Sequence, residues 1–135
     1  MTTLLFALMF LAEASSSGRL ARWVGTWTWN QPATRDFKPE RFVIWKSRTR
    51  PGALHVLGNA YWYGPMVKYN GKLLRDVHFG GVDADGVPAG DRLVLRDGGC
   101  EVTLTLDGEE IHAADNNKCG GANARFSGTF VRHKS

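Results

Sequence analysis

The chain has 135 residues, a formal net charge of +4 and an apolar share of 43%. That length sets one domain as the expectation, and the apolar share is that of a globular protein. Sixteen glycines and five tryptophans argue against a helical bundle and for short strands joined by tight turns.

The chain opens "MTTLLFALMFLAEASSSG". The apolar run from Leu4 to Ala12 is too short to span a bilayer, which needs about 20 residues. Ala12-Glu13-Ala14 follows as a small-x-small motif, and serines come next. This layout predicts a secretory signal peptide over residues 1–14, cleaved after Ala14, although "MTT" supplies no basic n-region. Cleavage removes Glu13 as its only charge, so the mature chain gains one positive unit. A flexible N-terminus over 15–21 and one β domain over 22–135 complete the expected organisation. The expected compartment is periplasmic or secreted, and no transmembrane segment is expected.

Strand signals then recur between breaks rich in Gly, Pro and Asn. "RWVGTWTW" (22–29) places Trp23, Gly25, Trp27 and Trp29 on one face. "NQPATRDFKP" reads as a loop, and "ERFVIWKS" (40–47) as the second strand. "ALHVLGNAYWY" (53–63) is the third, broken or bulged at Gly64-Pro65. Asn70-Gly71 is the strongest hairpin signal, because both central residues of a type I′ turn need positive φ. It joins "MVKY" to "KLLRDVHFGGV". "DADGVPAGD" reads as a long turn, followed by "RLVLR", a turn at Asp97-Gly98-Gly99, and "CEVTLTL". A turn at Asp107-Gly108 leads to "EEIHAAD", with Leu106 expected near Glu109 and Cys100 near Asp115. The last strand lies in "ARFSGTFVR". About eight strands at ten-residue spacing predict an all-β fold, a small antiparallel up-and-down barrel, with a two-sheet sandwich as the alternative.

Cys100 and Cys119 are the only cysteines. In an exported domain they form one disulfide most simply, closing a loop of about 20 residues. Asp115 can bond backbone amides of the following turn, and Gly120-Gly121 permit positive φ there.

Gly25-x-Trp27 on the first strand and Arg132 at the end of the last resemble the calycin pattern of lipocalins and avidin-like proteins. That resemblance implies a barrel end sealed by Arg132 stacked on Trp27. The segment "GCEVTLTLDGEEIHAADNNKCGGANARFSGTFVR" resembles the C-terminal part of a family of small exported bacterial proteins. The matching positions are Cys100, Asp115, Asn116, Cys119, Gly120, Gly121, Asn123, Phe126, Ser127, Gly128, Phe130 and Arg132. Some members resemble segments of proteins labelled as lysozyme inhibitors, which implies an envelope role.

No catalytic constellation stands out. Glu109 and Glu110 are adjacent on a strand and point to opposite sides. Asp83 and Asp85 fall in turn-like sequence without a calcium-loop pattern. The four histidines show no ligand spacing, so neither a metal nor a cofactor is expected. The basic cluster Lys46, Arg48 and Arg50 reads as a solvated turn, and nucleic acid is not an expected partner. The aromatics Trp45, Tyr61, Trp62 and Tyr63 are the candidate contact residues. The expected function is non-enzymatic: an exported binding protein with a small-molecule site in or at the mouth of the barrel. The alternatives are an envelope protein-interaction or inhibitor role, or an enzyme of unknown class. A lumen filled by Trp23, Trp29, Phe126 and Phe130 would leave no room for the ligand.

Overall fold

The structure is a computed structural model and describes residues 18–30 and 40–133. The expected signal peptide and most of the "NQPATRDFKP" loop lie outside these residues. Eight strands follow one another: β1 (Gly25–Trp29), β2 (Arg41–Lys46), β3 (Leu54–Tyr69), β4 (Lys72–Gly86), β5 (Arg92–Asp97), β6 (Cys100–Asp107), β7 (Glu110–Asp115) and β8 (Gly128–Arg132). They form a single antiparallel sheet in the order β4-β3-β2-β1-β8-β7-β6-β5. The sheet curls into a small all-β barrel, and the sandwich alternative falls away.

Alternation along the strands sets the inside. In β2, Phe42 and Ile44 are buried between more exposed neighbours. In β6, Cys100, Val102, Leu104 and Leu106 point inward while Glu101, Thr103 and Thr105 do not. The interior is filled by aromatic rings: Trp23, Trp27, Phe42, Phe126 and Phe130 are all fully buried. Phe42 lies 5.0 Å from Phe126 and 4.7 Å from Phe130 between ring centroids. Trp29 is different. It lies on β1 two residues past Trp27 yet remains 36% exposed, with its indole against Gly128.

The pairing of β1 with β8, Trp27 opposite Arg132, joins the two halves of the chain. The Arg132 guanidinium lies over the Trp27 ring, 4.4 Å from its centroid. It donates to the carbonyls of Val24 and Arg22 and pairs with Glu109 at 3.2 Å. Gly25 (φ 145°) leaves space for it, since a Cβ there would stand 3.1 Å from an Arg132 nitrogen. Trp27 in turn donates from its indole to the Trp23 carbonyl, 2.9 Å. Residues 18–21, expected to be flexible, form a helical turn, and Leu20 packs against the core.

Two local expectations change, and the break-or-bulge alternative at Gly64-Pro65 resolves to a bulge. "DADGVPAGD" is not one long turn: β4 runs on through Gly86, because Asp83 and Asp85 pair with Leu57 and His55 across β3. Gly64-Pro65 does not end β3. The ladder shifts register there and continues. At the β6–β7 hairpin the loop is Gly108-Glu109, so Leu106 pairs with Ile111 and Asp115 with Val102. The slip of two residues keeps every side chain on its expected face.

Cys100 and Cys119 are joined in a disulfide. It tethers the β7–β8 loop to the start of β6. Asp115 organises the same loop by accepting from the backbone N–H groups of Asn117 (2.8 Å) and Phe126 (2.6 Å). With a sequence separation of 19 between the cysteines, the cross-link contributes about 3 kcal/mol on the loop-entropy scale. Replacing both cysteines by serine is expected to lower the melting temperature by roughly 10 °C or more for a domain of this size. An unchanged melting temperature in oxidising buffer would contradict this account of the bond.

Candidate functional site

The ends of the barrel are unequal. At one end the connections are short. At the other, β3 and β4 continue well past the barrel as a two-stranded arm, with ladder pairs from Tyr61–Phe79 out to Tyr69–Lys72. The Asn70-Gly71 turn closes the arm, with φ of 50° and 78°. Among the described residues, neither strand has a further ladder partner there, since β2 pairs with β3 only as far as Asn59.

The arm is unusually apolar for an exposed element. Among the described residues, six of the ten exposed large apolar side chains belong to it: Met66, Val67, Tyr69, Leu73, Leu74 and Phe79. Residues paired across the ladder share a face. Val67 with Leu74 therefore marks one face, and Lys68 with Leu73 the other. Neither face is covered. Tyr69 is 67% exposed and Leu73 60%.

The root of the arm is braced by the disulfide loop. Gly81 donates to the Cys119 carbonyl at 2.8 Å, and Gly121 donates to the Phe79 carbonyl at 2.7 Å. Gly120 pairs with Gly80 at φ 155°, where a Cβ would overlap the Gly80 backbone. His78 donates from Nδ1 to the Ala122 carbonyl (2.5 Å), and its Nε2 lies 3.2 Å from Asp76. The bulge has its own support, as Arg75 donates to the Gly64 carbonyl at 3.0 Å. Asp115, Cys119, Gly120 and Gly121 thus hold the arm in place from the far side of the chain.

Three of the four aromatics singled out in the sequence lie at this root. Tyr61 and Tyr63 stack with centroids 6.0 Å apart, and Phe79 meets Tyr61 edge-on at 5.6 Å. Trp62 stacks on His78 at 4.8 Å, on the opposite face. Trp45 is elsewhere. Its ring lies tilted against His55, centroids 4.8 Å apart, and His55 stands six residues, about 20 Å, from Tyr61 along β3.

His55 centres a second cluster on the outer wall, one that sequence spacing did not reveal. Its Nδ1 faces Asp85 and its Nε2 faces Asp83, both at 2.5 Å. Two carboxylate acceptors require both ring nitrogens to be donors, which is the imidazolium. Burial alone lowers the His55 pKa, but the hydrogen bonds to Asp85 and Asp83 and their charges outweigh it, and the net shift is upward. Asp85 is shifted down, first by the hydrogen bond from His55, then against some desolvation by Ser47 and by the charges of His55 and Arg50. Ser47 donates to Asp85 at 3.0 Å. The carboxylate thus sits between the hydroxyl and the imidazole. A hydrolytic triad needs the imidazole in the middle, so this arrangement does not activate Ser47.

Two other acidic groups lie apart from this cluster. Asp107, Glu110 and His112 bring donor atoms within 4.8 Å of one another on the β6–β7 turn, but all three are exposed. Glu40 has a buried Oε2 with no hydrogen-bond partner among the described residues. Desolvation, and then the charge of Asp115, push its pKa up to about 7.

No protein-family model matches this chain, and neither does any curated protein or solved structure.

These titrations set a pH profile for stability. His55 has a raised folded pKa, so its contribution is present below 6.5 and lost as pH rises through the folded value. Glu40 acts in the same direction, losing stability between its ordinary 4.5 and about 7. Melting temperature is therefore expected to be higher near about pH 5.5 than near about pH 8.5. Glu40→Gln and His55→Gln should each flatten the difference. A melting temperature that rises with pH over this range would contradict both assignments.

Proposed function

We propose that this protein is an exported, non-enzymatic interaction protein. The barrel serves as a scaffold, and the β3–β4 arm enters an apolar groove on a protein partner at the cell envelope. The exposed apolar surface on both faces of the arm carries this reading, because monomeric proteins seldom leave such surface uncovered. The open edges of the arm favour a protein over a lipid surface. Edge N–H and C=O groups that have no ladder partner among the described residues can be satisfied by strand addition to a partner, whereas hydrocarbon offers them nothing. The disulfide supports an oxidising compartment, and the envelope inhibitor role implied by the C-terminal resemblance is one form of such an interaction.

The ligand expected inside the barrel has little in its favour, since Trp23, Trp27, Phe42, Phe126 and Phe130 occupy the interior. A small molecule at the mouth is the second reading, and the stacked Tyr61 and Tyr63 rings are the feature that favours it.

A photo-crosslinking residue at position 73 tests the main reading in cells, with position 131 as an exposed control off the arm. The expected result is a discrete protein adduct from position 73 alone. Equal labelling from both positions, or no adduct from position 73, would overturn it.

A further inference from the structure

The barrel has one seam. β4 and β5 stand at the two ends of the sheet order and share no ladder pairs, although they are consecutive in the chain. They meet instead through side chains and packing. The Asp83 N–H donates to Asp97 Oδ2 at 3.0 Å, and Gly86 fits against Leu93 and Val94. Beside this seam, at the barrel end away from the arm, lies an open cleft of about 640 Å³ lined by Arg50, Asp85, Arg92 and Arg96 together with Val87 and Val94. That volume lies in the range of small-molecule sites.

The charges in the cleft do not cancel. Asp85 is its one acidic wall residue, and that carboxylate is already engaged by His55 at 2.5 Å and Ser47 at 3.0 Å. Arg96 is paired with Glu101 at 3.2 Å. The nearby Asp91 is taken by Arg22 at 2.8 Å. The guanidinium groups of Arg50 and Arg92 have no hydrogen-bonded partner among the described residues. Both are held on ordered backbone. The Ser47 hydroxyl accepts from the Arg50 N–H at 3.1 Å, and Arg92 exchanges backbone hydrogen bonds with Ala89 at 2.8 and 3.1 Å.

We infer that this seam cleft binds a small organic anion carrying phosphate or carboxylate groups, held by Arg50 and Arg92. A guanidinium presents paired donors that match either oxyanion. Arg92 and Arg96 lie four residues apart on β5, about 13 Å, so a ligand with more than one anionic group can span the cleft. Val87 and Val94 give its carbon skeleton an apolar surface.

Calorimetric titration of the full protein with pyrophosphate and, separately, with citrate tests the inference at physiological salt. Saturable one-to-one binding of at least one probe is expected, and the better probe identifies the oxyanion. Arg50→Ala and Arg92→Ala should each weaken that binding about tenfold or more. Arg41→Ala, on the exposed side of β2, should leave it unchanged. The inference is overturned if neither probe saturates at millimolar concentration. It is equally overturned if Arg41→Ala weakens binding as much as the cleft variants, since the effect would then be that of a generally basic surface. Far-ultraviolet circular dichroism of each variant separates lost binding from lost fold.

Discussion

Everything in this structure depends on the last strand finding the first. Arg132 sits opposite Trp27, stacks on its ring and reaches back to the carbonyls of Arg22 and Val24. A cation over an indole contributes about 0.5–2 kcal/mol, modest beside the buried rings. Its larger effect is topological. Once β8 lies beside β1, two four-strand meanders become one curled sheet. The interior closes on Phe42, Phe126 and Phe130, and the free edges β4 and β5 are brought to a common seam. Removing the contact would loosen the one ladder in the sheet that joins strands not consecutive in the chain.

The filled interior then decides where function can reside. A lipocalin-like cup needs a hollow, and here aromatic rings take that volume. What remains is the outside, where the structure invests chain length in one unusual place. β3 and β4 extend for 16 and 15 residues, beyond what the barrel wall uses. The disulfide loop then braces their exit. Disulfide, Asx turn and glycine contact converge on the root of the arm. The C-terminal segment is thus tied mechanically to the feature we propose meets a partner.

Much of this was legible in the sequence. Alternation in "CEVTLTL" fixed the faces of β6, and Asn70-Gly71 marked the tip of the arm because few other pairs tolerate two positive φ values. The arm itself was harder to see. Gly64-Pro65 reads in sequence as a break or a bulge, and it is a bulge: a register shift absorbs it, so two short strands are one long one. Asp83 and Asp85 stood out as carboxylates two apart, the spacing of one strand face, but their glycine-rich neighbours suggested a turn. Their partner His55 is 28 and 30 residues away, a distance no local pattern bridges. The seam cleft combines a turn after β2 with the outer face of β5, and only the closed sheet brings them together.

The central claim is that the barrel is a filled scaffold and the arm is the binding element. It is tested most directly by native mass spectrometry of the protein purified from its own envelope fraction, beside a Leu73→Thr/Leu74→Thr variant. Both positions are exposed, and threonine keeps strand propensity, so the variant should fold. The account predicts a stoichiometric protein partner on the wild type that is absent from the variant, at equal melting temperature. A small molecule retained equally by both proteins, with no protein partner on either, would contradict it.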